Sequence, residues 1–434
     1  MKITFIGTGY VGLVSGVMMS HLGHSITCID VDQTKISSLK AKKVPIFEPG
    51  LDEYVEKYAN SNRLNFTNSY GSSLGDSECV FITVGTPQKD DGSADISSIF
   101  TAVEEVCKYI SSECLLVIKS TVPPGTCAEV QNFVISKGYK NEVVSNPEFL
   151  REGSAIIDFM KPDRIVIGAS STRALDIMRK LYKPLIDNGV GIVETDLGTS
   201  ELIKYAANAF LANKIAFINE MADLCEIVGA DITKISEGIG LDKRIGKSFL
   251  NPGPGFGGSC FPKDILALQN LAKKVKSNFL VLDAVIKANS NRPANILQKI
   301  KTAVGNNLNG KKLAILGLTY KAGTDDLRSS PAIELINKLK ESGADIIAYD
   351  PEGMINAHKY FQDLKCASSP IEAVRDTDAI IIVTEWDEFK LIDFAKAKSI
   401  MATPVIIDLR NILNYQQLKA TGFRYYSIGR KSDE

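Results

Sequence analysis

The sequence predicts an α/β protein built from two doubly wound units joined by a long central helix. Three observations carry that prediction. Apolar strand runs alternate with helical patterns from residue 1 to about 195. A second alternation begins at Lys312. Between them, one amphipathic pattern runs from Thr199 or Ser200, a plausible N-cap, to Val228 and stops at Gly229. At about 30 residues it exceeds an ordinary helix of a compact domain and suits a spine between two units.

Composition narrows the function. The 434 residues leave room for two or three domains. Net charge is −1 with acids and bases interspersed, which points away from nucleic-acid and membrane surfaces. The eight cysteines (28, 79, 107, 114, 127, 225, 260, 366) contain no C-x-x-C and have no histidine at zinc spacing, so no metal site is expected. Most sit in apolar runs, as core residues of a reduced, cytoplasmic protein do. The N-terminus reaches glycines by position 7 without a signal-peptide pattern, and no run has the length of a membrane span.

Lys2 to Ile6 reads as a buried strand, followed by Gly7-Thr8-Gly9-Tyr10-Val11-Gly12 and an apolar helix. A second strand, Ile26 to Ile29, ends in Asp30. G-x-G-x-x-G alone is a weak signal that a structural glycine turn could also give. Between strand and helix, with an acid about 20 residues on, it marks a dinucleotide site. Asp30 would accept from ribose hydroxyls and repel a 2′-phosphate, which favours NAD over NADP. Further strands are expected at Cys79–Val84, Leu115–Ile118, Glu142–Val144, Arg164–Gly168 and Gly191–Val193. The first three end in small, hydroxylic or acidic residues, where parallel sheets bind ligands.

On the spine, Lys204 and Asn208 lie four apart and share a face. They could be solvated surface residues, but their flanks are apolar on nearly every side, which suggests buried polar groups with a task. Gly255-Phe256-Gly257-Gly258-Ser259-Cys260-Phe261-Pro262-Lys263-Asp264 strips side chains away ahead of a cysteine and then starts a helix at the proline. Cys260 would stand at a helix N-terminus, which favours a thiolate, with Asp264 on the same face. The alternative is a tight turn around an inert buried cysteine. The polar stretch Asn289 to Asn295, a further helix and Asn306 to Gly310 mark a boundary. In the last unit, strands are expected at 312–316, 344–349, 379–383 and 405–408. A single glycine, Gly317, follows the first, so a second dinucleotide is not expected, and Lys321 and Arg328 there suit anionic groups. Residues 429–434 read as a frayed tail.

Six segments together are highly specific: residues 7–12, Ser120-Thr121-Val122-Pro123, Asn146-Pro147-Glu148-Phe149-Leu150, Lys204-Tyr205-Ala206-Ala207-Asn208, residues 255–264, and Tyr320-Lys321 with Asp326-Leu327-Arg328. Over nearly its whole length the chain resembles the nucleotide-sugar 6-dehydrogenases of the UDP-glucose/GDP-mannose dehydrogenase family. The resemblance implies a Rossmann-like NAD domain (1–195), a central helical dimerisation region carrying Cys260 (196–300) and a C-terminal domain for the nucleotide of the substrate (301–434). It implies a four-electron oxidation of a sugar 6-hydroxyl by two NAD in sequence, through a thiohemiacetal and a thioester on Cys260. Lys204 and Asn208 would stabilise the oxyanion, while Asp264, Thr121 and Glu148 would position or deprotonate water. The three histidines lie outside every motif, so these roles fall to other groups.

The same resemblance assigns NAD to Gly7, Gly9, Tyr10, Val11, Gly12, Asp30, Lys35, Thr86, Thr121, Glu152, Lys263 and Arg328. It assigns the nucleotide sugar to Glu148, Phe149, Leu150, Arg151, Glu152, Lys204, Asn208, Phe249, Leu250, Asn251, Pro252, Gly253, Gly257, Lys321 and Arg410. Arg244 would reach the substrate from a neighbouring subunit, which implies a homodimer or larger homo-oligomer. Asn251 stands where some relatives carry lysine, which leaves the details of that loop open. The segment at 146–149 argues against the N-acetylmannosamine branch, and the one at 256–261 resembles the UDP-glucose branch more than the GDP-mannose one. GDP-mannose and UDP-N-acetylmannosamine dehydrogenases are the rivals within the family, and a catalytically silent NAD-binding protein is the rival outside enzyme chemistry.

Overall fold

Near-continuous apolar runs such as Cys79–Ile82 and Leu115–Ile118 are buried at every position, as strands covered on both faces are. In the computed structural model, which describes residues 1–431, they form the centre of an eight-stranded sheet. Its strands are β1 (Lys2–Ile6), β2 (Ser25–Ile29), β3 (Leu64–Thr67), β4 (Cys79–Ile82), β5 (Leu115–Ile118), β6 (Val143–Ser145), β7 (Arg164–Gly168) and β8 (Gly191–Thr195). The order is β3-β2-β1-β4-β5-β6-β7-β8. All pairs are parallel except β6–β7, which meet antiparallel with Ser145 opposite Gly168. The doubly wound sheet therefore ends at β6, and β7–β8 is a parallel pair added in the reverse sense. Alternate residues feed the two faces: Phe5 and Phe81 stack with ring centroids 4.8 Å apart in one core, while Ile6, Val80 and Ile82 enter the other. Each buried phenylalanine contributes roughly 1.5–3 kcal/mol by leaving water.

The second sheet has six strands: β9 (Lys312–Leu316), β10 (Asp345–Tyr349), β11 (Lys365–Cys366), β12 (Ala379–Ile382), β13 (Val405–Asp408) and β14 (Arg424–Ser427). They are all parallel, in the order β11-β10-β9-β12-β13-β14. The described chain packs as two compact units, Met1–Ala207 with Leu266–Val275, and Asn208–Ile265 with the residues from Lys276 onward. The helix Leu197–Val228 is continuous across that division. It begins ahead of the expected Thr199 or Ser200, because Asp196 takes the cap. Asp196 accepts from Thr199 N at 2.8 Å and receives Ser200 N on its carbonyl.

Two other expectations need correcting. Asn289 to Asn295 lies inside one helix, Leu280–Val304, and its polarity serves a neighbouring loop. Asn289 exchanges hydrogen bonds with the backbone of Phe256, and Arg292 donates to Gly253 O at 3.0 Å while pairing with Asp223. The tail is anchored at its start: Gly429 N donates to Glu226, its carbonyl accepts from Ile232 N, and Arg430 pairs with Asp231. Residues 432–434 of that tail lie outside the described residues. Among the described residues no helix is long and apolar enough to cross a membrane.

Candidate active site

The first unit presents the fingerprint. Gly9 precedes the helix Tyr10–His21 with no side chain capping it, so the N–H groups of that first turn face outward. A Cβ on Gly12 would sit 2.0 Å from Gly7 O, so the turn closes only around glycine. A Cβ on Gly9 would meet nothing within 4 Å, which leaves bare backbone for a ligand. Asp30 immediately follows β2 and accepts from Thr8 N and Thr8 Oγ1 at 2.7 Å each and from Asp32 N at 2.9 Å. Burial pushes its carboxyl up, but those bonds and the nearby Lys35 hold it below the usual range. Uncapped amides and a held carboxylate at opposite ends of one β-α-β turn fit the pyrophosphate and ribose of a dinucleotide. Tyr10 is tied to Glu48, and both accept from Gly153 N at 2.7 Å, which fixes the turn after Glu152. Thr86 donates to Thr121 O at 2.9 Å.

The second-unit counterpart of Asp30 is Asp350, and its fate differs. It is fully buried and accepts from Leu318 N, Thr319 N and Oγ1, Glu352 N, Gly353 N and Trp386 Nε1. A carboxylate offers about four lone-pair sites, so none remains for a ribose.

Lys204 and Glu148 form a buried ion pair in the first unit, Nζ to Oε1 3.3 Å. The other oxygen of Glu148 accepts from Leu150 N at 2.5 Å. Two cations lie against the Phe149 ring: the Arg164 guanidinium is 3.5 Å and Lys204 Nζ 5.2 Å from its centroid. Arg151 is exposed and doubly bonded to Asp158. Lys204 stands on the helix that Glu201 fastens: this buried carboxylate accepts from Gly125 N and Cys127 N at 2.6 Å each, below the loop bearing Thr121.

The second unit holds the cysteine. Cys260 is exposed and immediately precedes the helix Phe261–Lys274, and its carbonyl accepts from Asp264 N at 2.9 Å. Asp264 points inward from that first turn, at 1% exposure. Its oxygens accept from Asn208 Nδ2 at 2.7 Å and Lys263 Nζ at 2.6 Å. The glycine run is needed for space, since a Cβ on Gly257 would fall 2.1 Å from Ser329 O. The other cysteines, apart from exposed Cys366, are buried, and burial alone pushes the Cys28 thiol up to about 12 and Cys107 to about 11.

The same unit gathers the remaining expected residues. Phe249 adopts φ 64° ahead of buried Leu250, Asn251 is exposed, and Gly253 N donates to Asn219. Arg410 donates from Nε to Val383 O at 2.7 Å and from an Nη to Tyr320 O at 3.1 Å, and pairs with Glu385. Lys321 is half-buried beside the Tyr320 ring, and Arg328 is exposed and bonded to Asp326. Arg244 is 89% exposed and held by Asp242. Among the described residues no group of three His, Cys, Asp or Glu side chains could hold a metal ion.

The expected residues thus divide cleanly. The fingerprint, Asp30, Lys35, Thr86, Thr121, residues 148–152 and Lys204 are in the first unit, and Asn208, Arg244, residues 249–264, Lys321, Arg328 and Arg410 in the second. Sequence reasoning gave no role to Lys119, Tyr182 and Glu201, and named Asn146 only as part of the segment 146–150; Lys119, Asn146 and Tyr182 form a buried polar trio. Only the apolar setting of Lys119 and Glu201 could have signalled them.

Three profiles of the UDP-glucose/GDP-mannose dehydrogenase family match the chain: the NAD binding domain at residues 1–186, the central domain at 198–291 and the UDP binding domain at 314–415. The chain is 54% identical to the UDP-glucose 6-dehydrogenase of Rickettsia bellii (strain RML369-C), covering 99% of this chain and 100% of that one. It is 50% identical to the UDP-glucose 6-dehydrogenase of Rhizobium meliloti (strain 1021), with the same coverage. A solved UDP-glucose dehydrogenase from the hyperthermophilic archaeon Pyrobaculum islandicum matches with a TM-score of 0.91 and 36% identity over 99% of this chain and 98% of that chain. Fold, fingerprint and full-length identity agree, and the chain belongs to the UDP-glucose/GDP-mannose dehydrogenase family.

Proposed function

We propose that this chain oxidises the C6 alcohol of UDP-glucose to the carboxylate, consuming two NAD and one water and releasing UDP-glucuronate and two NADH, with the remaining hydrogens leaving as protons. The observation that carries the reading is Cys260, an exposed thiol at a helix N-terminus, one turn from a buried carboxylate held by Asn208 and Lys263. A one-step alcohol oxidation needs no such nucleophile. NAD, when bound, supplies the hydride acceptor for each oxidation. Cys260 adds to the C6 aldehyde, which creates a thiohemiacetal with a hydrogen left to transfer, and water then cleaves the thioester formed. Lys204 and Asn208 stabilise the negative charge that develops on the C6 oxygen. Glu148, Thr121 and Asp264 orient water or take its proton.

In this reading residues 1–195 bind NAD through Gly7, Gly9, Tyr10, Val11, Gly12, Asp30, Lys35, Thr86, Thr121 and Glu152, aided by Lys263 and Arg328. Residues 301–434 bind the nucleotide, with Lys321 and Arg410 as its cations, and residues 249–253 and 257 line the sugar site with Glu148 to Glu152. The central region, 196–300, carries Cys260 and pairs two copies, with Arg244 reaching the neighbour's substrate. Exposed Phe210, Phe217 and Leu224, at two-turn intervals along one helix, support that pairing. The protein acts in the cytoplasm. The test is to offer UDP-glucose, UDP-galactose, GDP-mannose and UDP-N-acetylmannosamine and count NADH per sugar. Two NADH from UDP-glucose, well ahead of the others, is expected. One NADH per sugar, or preference for another sugar, overturns the assignment.

A further inference from the structure

Behind Glu148 sits a lysine that the reaction as described does not use. Lys119 immediately follows β5 and is 4% exposed. Its Nζ donates to Asn146 Oδ1 at 3.1 Å and approaches Tyr182 OH at 3.5 Å. Tyr182 also donates to Asn146 Oδ1, at 2.6 Å, and Asn146 Nδ2 donates to Val166 O at 2.8 Å. The trio therefore crosses the β6–β7 seam, where the sheet reverses its sense. Around the ammonium group stand neutral Asn146, Tyr182 on the helix Thr172–Ile186, the Phe81 ring 6.0 Å away on β4, and Cys79 beyond Tyr182. The charged groups that act on it are Glu148 and Lys204.

We propose that Lys119 is a positioning residue for the reaction: it fixes Asn146, two residues ahead of Glu148, and offsets the charge of Glu148 so that Lys204 is available to the substrate oxygen. One ammonium cannot fully serve a buried carboxylate and a developing oxyanion together. With Lys204 paired to Glu148 and the charge of Lys119 also felt there, positive charge exceeds negative where the oxyanion would form. Burial pushes the Lys119 ammonium down to about 8, with Glu148 acting against that fall and Lys204 adding to it. A lysine kept at that cost, bonded only to neutral partners, is held there for its charge.

The proposal rests on the functional reading above, and the test separates the two. Lys119→Met removes the charge with little change in volume. Asn146→Asp gives Lys119 a private counter-charge, and Tyr182→Phe removes a bond while sparing the charge. With whichever panel sugar the wild type oxidises, the first two are expected to lower kcat by about 10- to 100-fold. Tyr182→Phe is expected to stay within about threefold, and KM for NAD and sugar to hold in all three. Lys119→Met should melt no lower than wild type, which a purely structural role would not allow. Wild-type kcat in Lys119→Met, or a loss in Tyr182→Phe as deep as in Lys119→Met, overturns the proposal. A stability double-mutant cycle of Lys119→Met with Glu148→Gln decides without turnover. Lys119→Met must stabilise more in the Glu148→Gln background, and additivity contradicts the coupling. A wild type inert on all four sugars sinks only the functional reading, because the cycle still judges Lys119.

Discussion

Lys204 Nζ lies 3.3 Å from Glu148 Oε1, and their side chains are only 5% and 6% exposed. Both charges are largely shielded from water, so each leans on the other, with Leu150 N and Lys119 also acting on Glu148. Removing one partner is therefore worse than removing both. Lys204→Ala should lower unfolding stability by about 3–5 kcal/mol, and adding Glu148→Gln should recover much of the loss. Urea unfolding of the two variants checks this. A single variant as stable as the double would show that the pair carries no mutual dependence.

Lys119 gives a pH dependence with a definite sign. Its ammonium is held at about 8 in the fold against 10.5 in the unfolded chain, so between those values the unfolded chain binds more protons. Its contribution to stability therefore rises with pH through that window and is lost as pH falls through 8. Lys119→Met should exceed wild type by about 1–4 kcal/mol below pH 8, and the gap should close towards pH 10.5. Denaturation at a series of pH values measures the gap, and a constant gap contradicts the assignment.

Asp30 is already committed to Thr8 and Asp32, so it is aimed before any ligand arrives. Asp30→Ala should weaken NAD by about 10- to 100-fold, the worth of charged hydrogen bonds to a ribose. Calorimetric titration of NAD into each protein reads the affinity directly, and an unchanged value removes Asp30 from the site.

Much of this was legible in sequence where the signal is local. The fingerprint, Asp30 and the Gly255–Asp264 stretch are short patterns whose spacing dictates their geometry. The Lys119–Asn146–Tyr182 trio was not legible, because its members are 27 and 36 residues apart and meet only through the order of the sheet. The reversal at β7 was hidden as well, since a buried strand shows the same apolar run in either direction. Asn289 to Asn295 was read as a break because composition cannot distinguish a loop from a helix whose polar side chains clasp another segment's backbone. Asp196, Thr199 and Ser200 are all good caps, and only the hydrogen bonds identify the first of them as the one used.

Cys260 is the residue on which the four-electron reading stands. Cys260→Ser puts an oxygen in place of the sulfur, which adds poorly and leaves poorly, so it should stop after the first oxidation or stall as an adduct, with turnover reduced at least about 1000-fold.

The most direct test is to digest protein quenched during turnover of UDP-glucose and weigh the peptide that carries Cys260. The account predicts a mass increase equal to the UDP-sugar at the thioester level on that peptide, absent from Cys260→Ser with a lysine-blocked control. An unmodified Cys260 peptide at every time point, together with full acid production after the thiol has been alkylated, would contradict it.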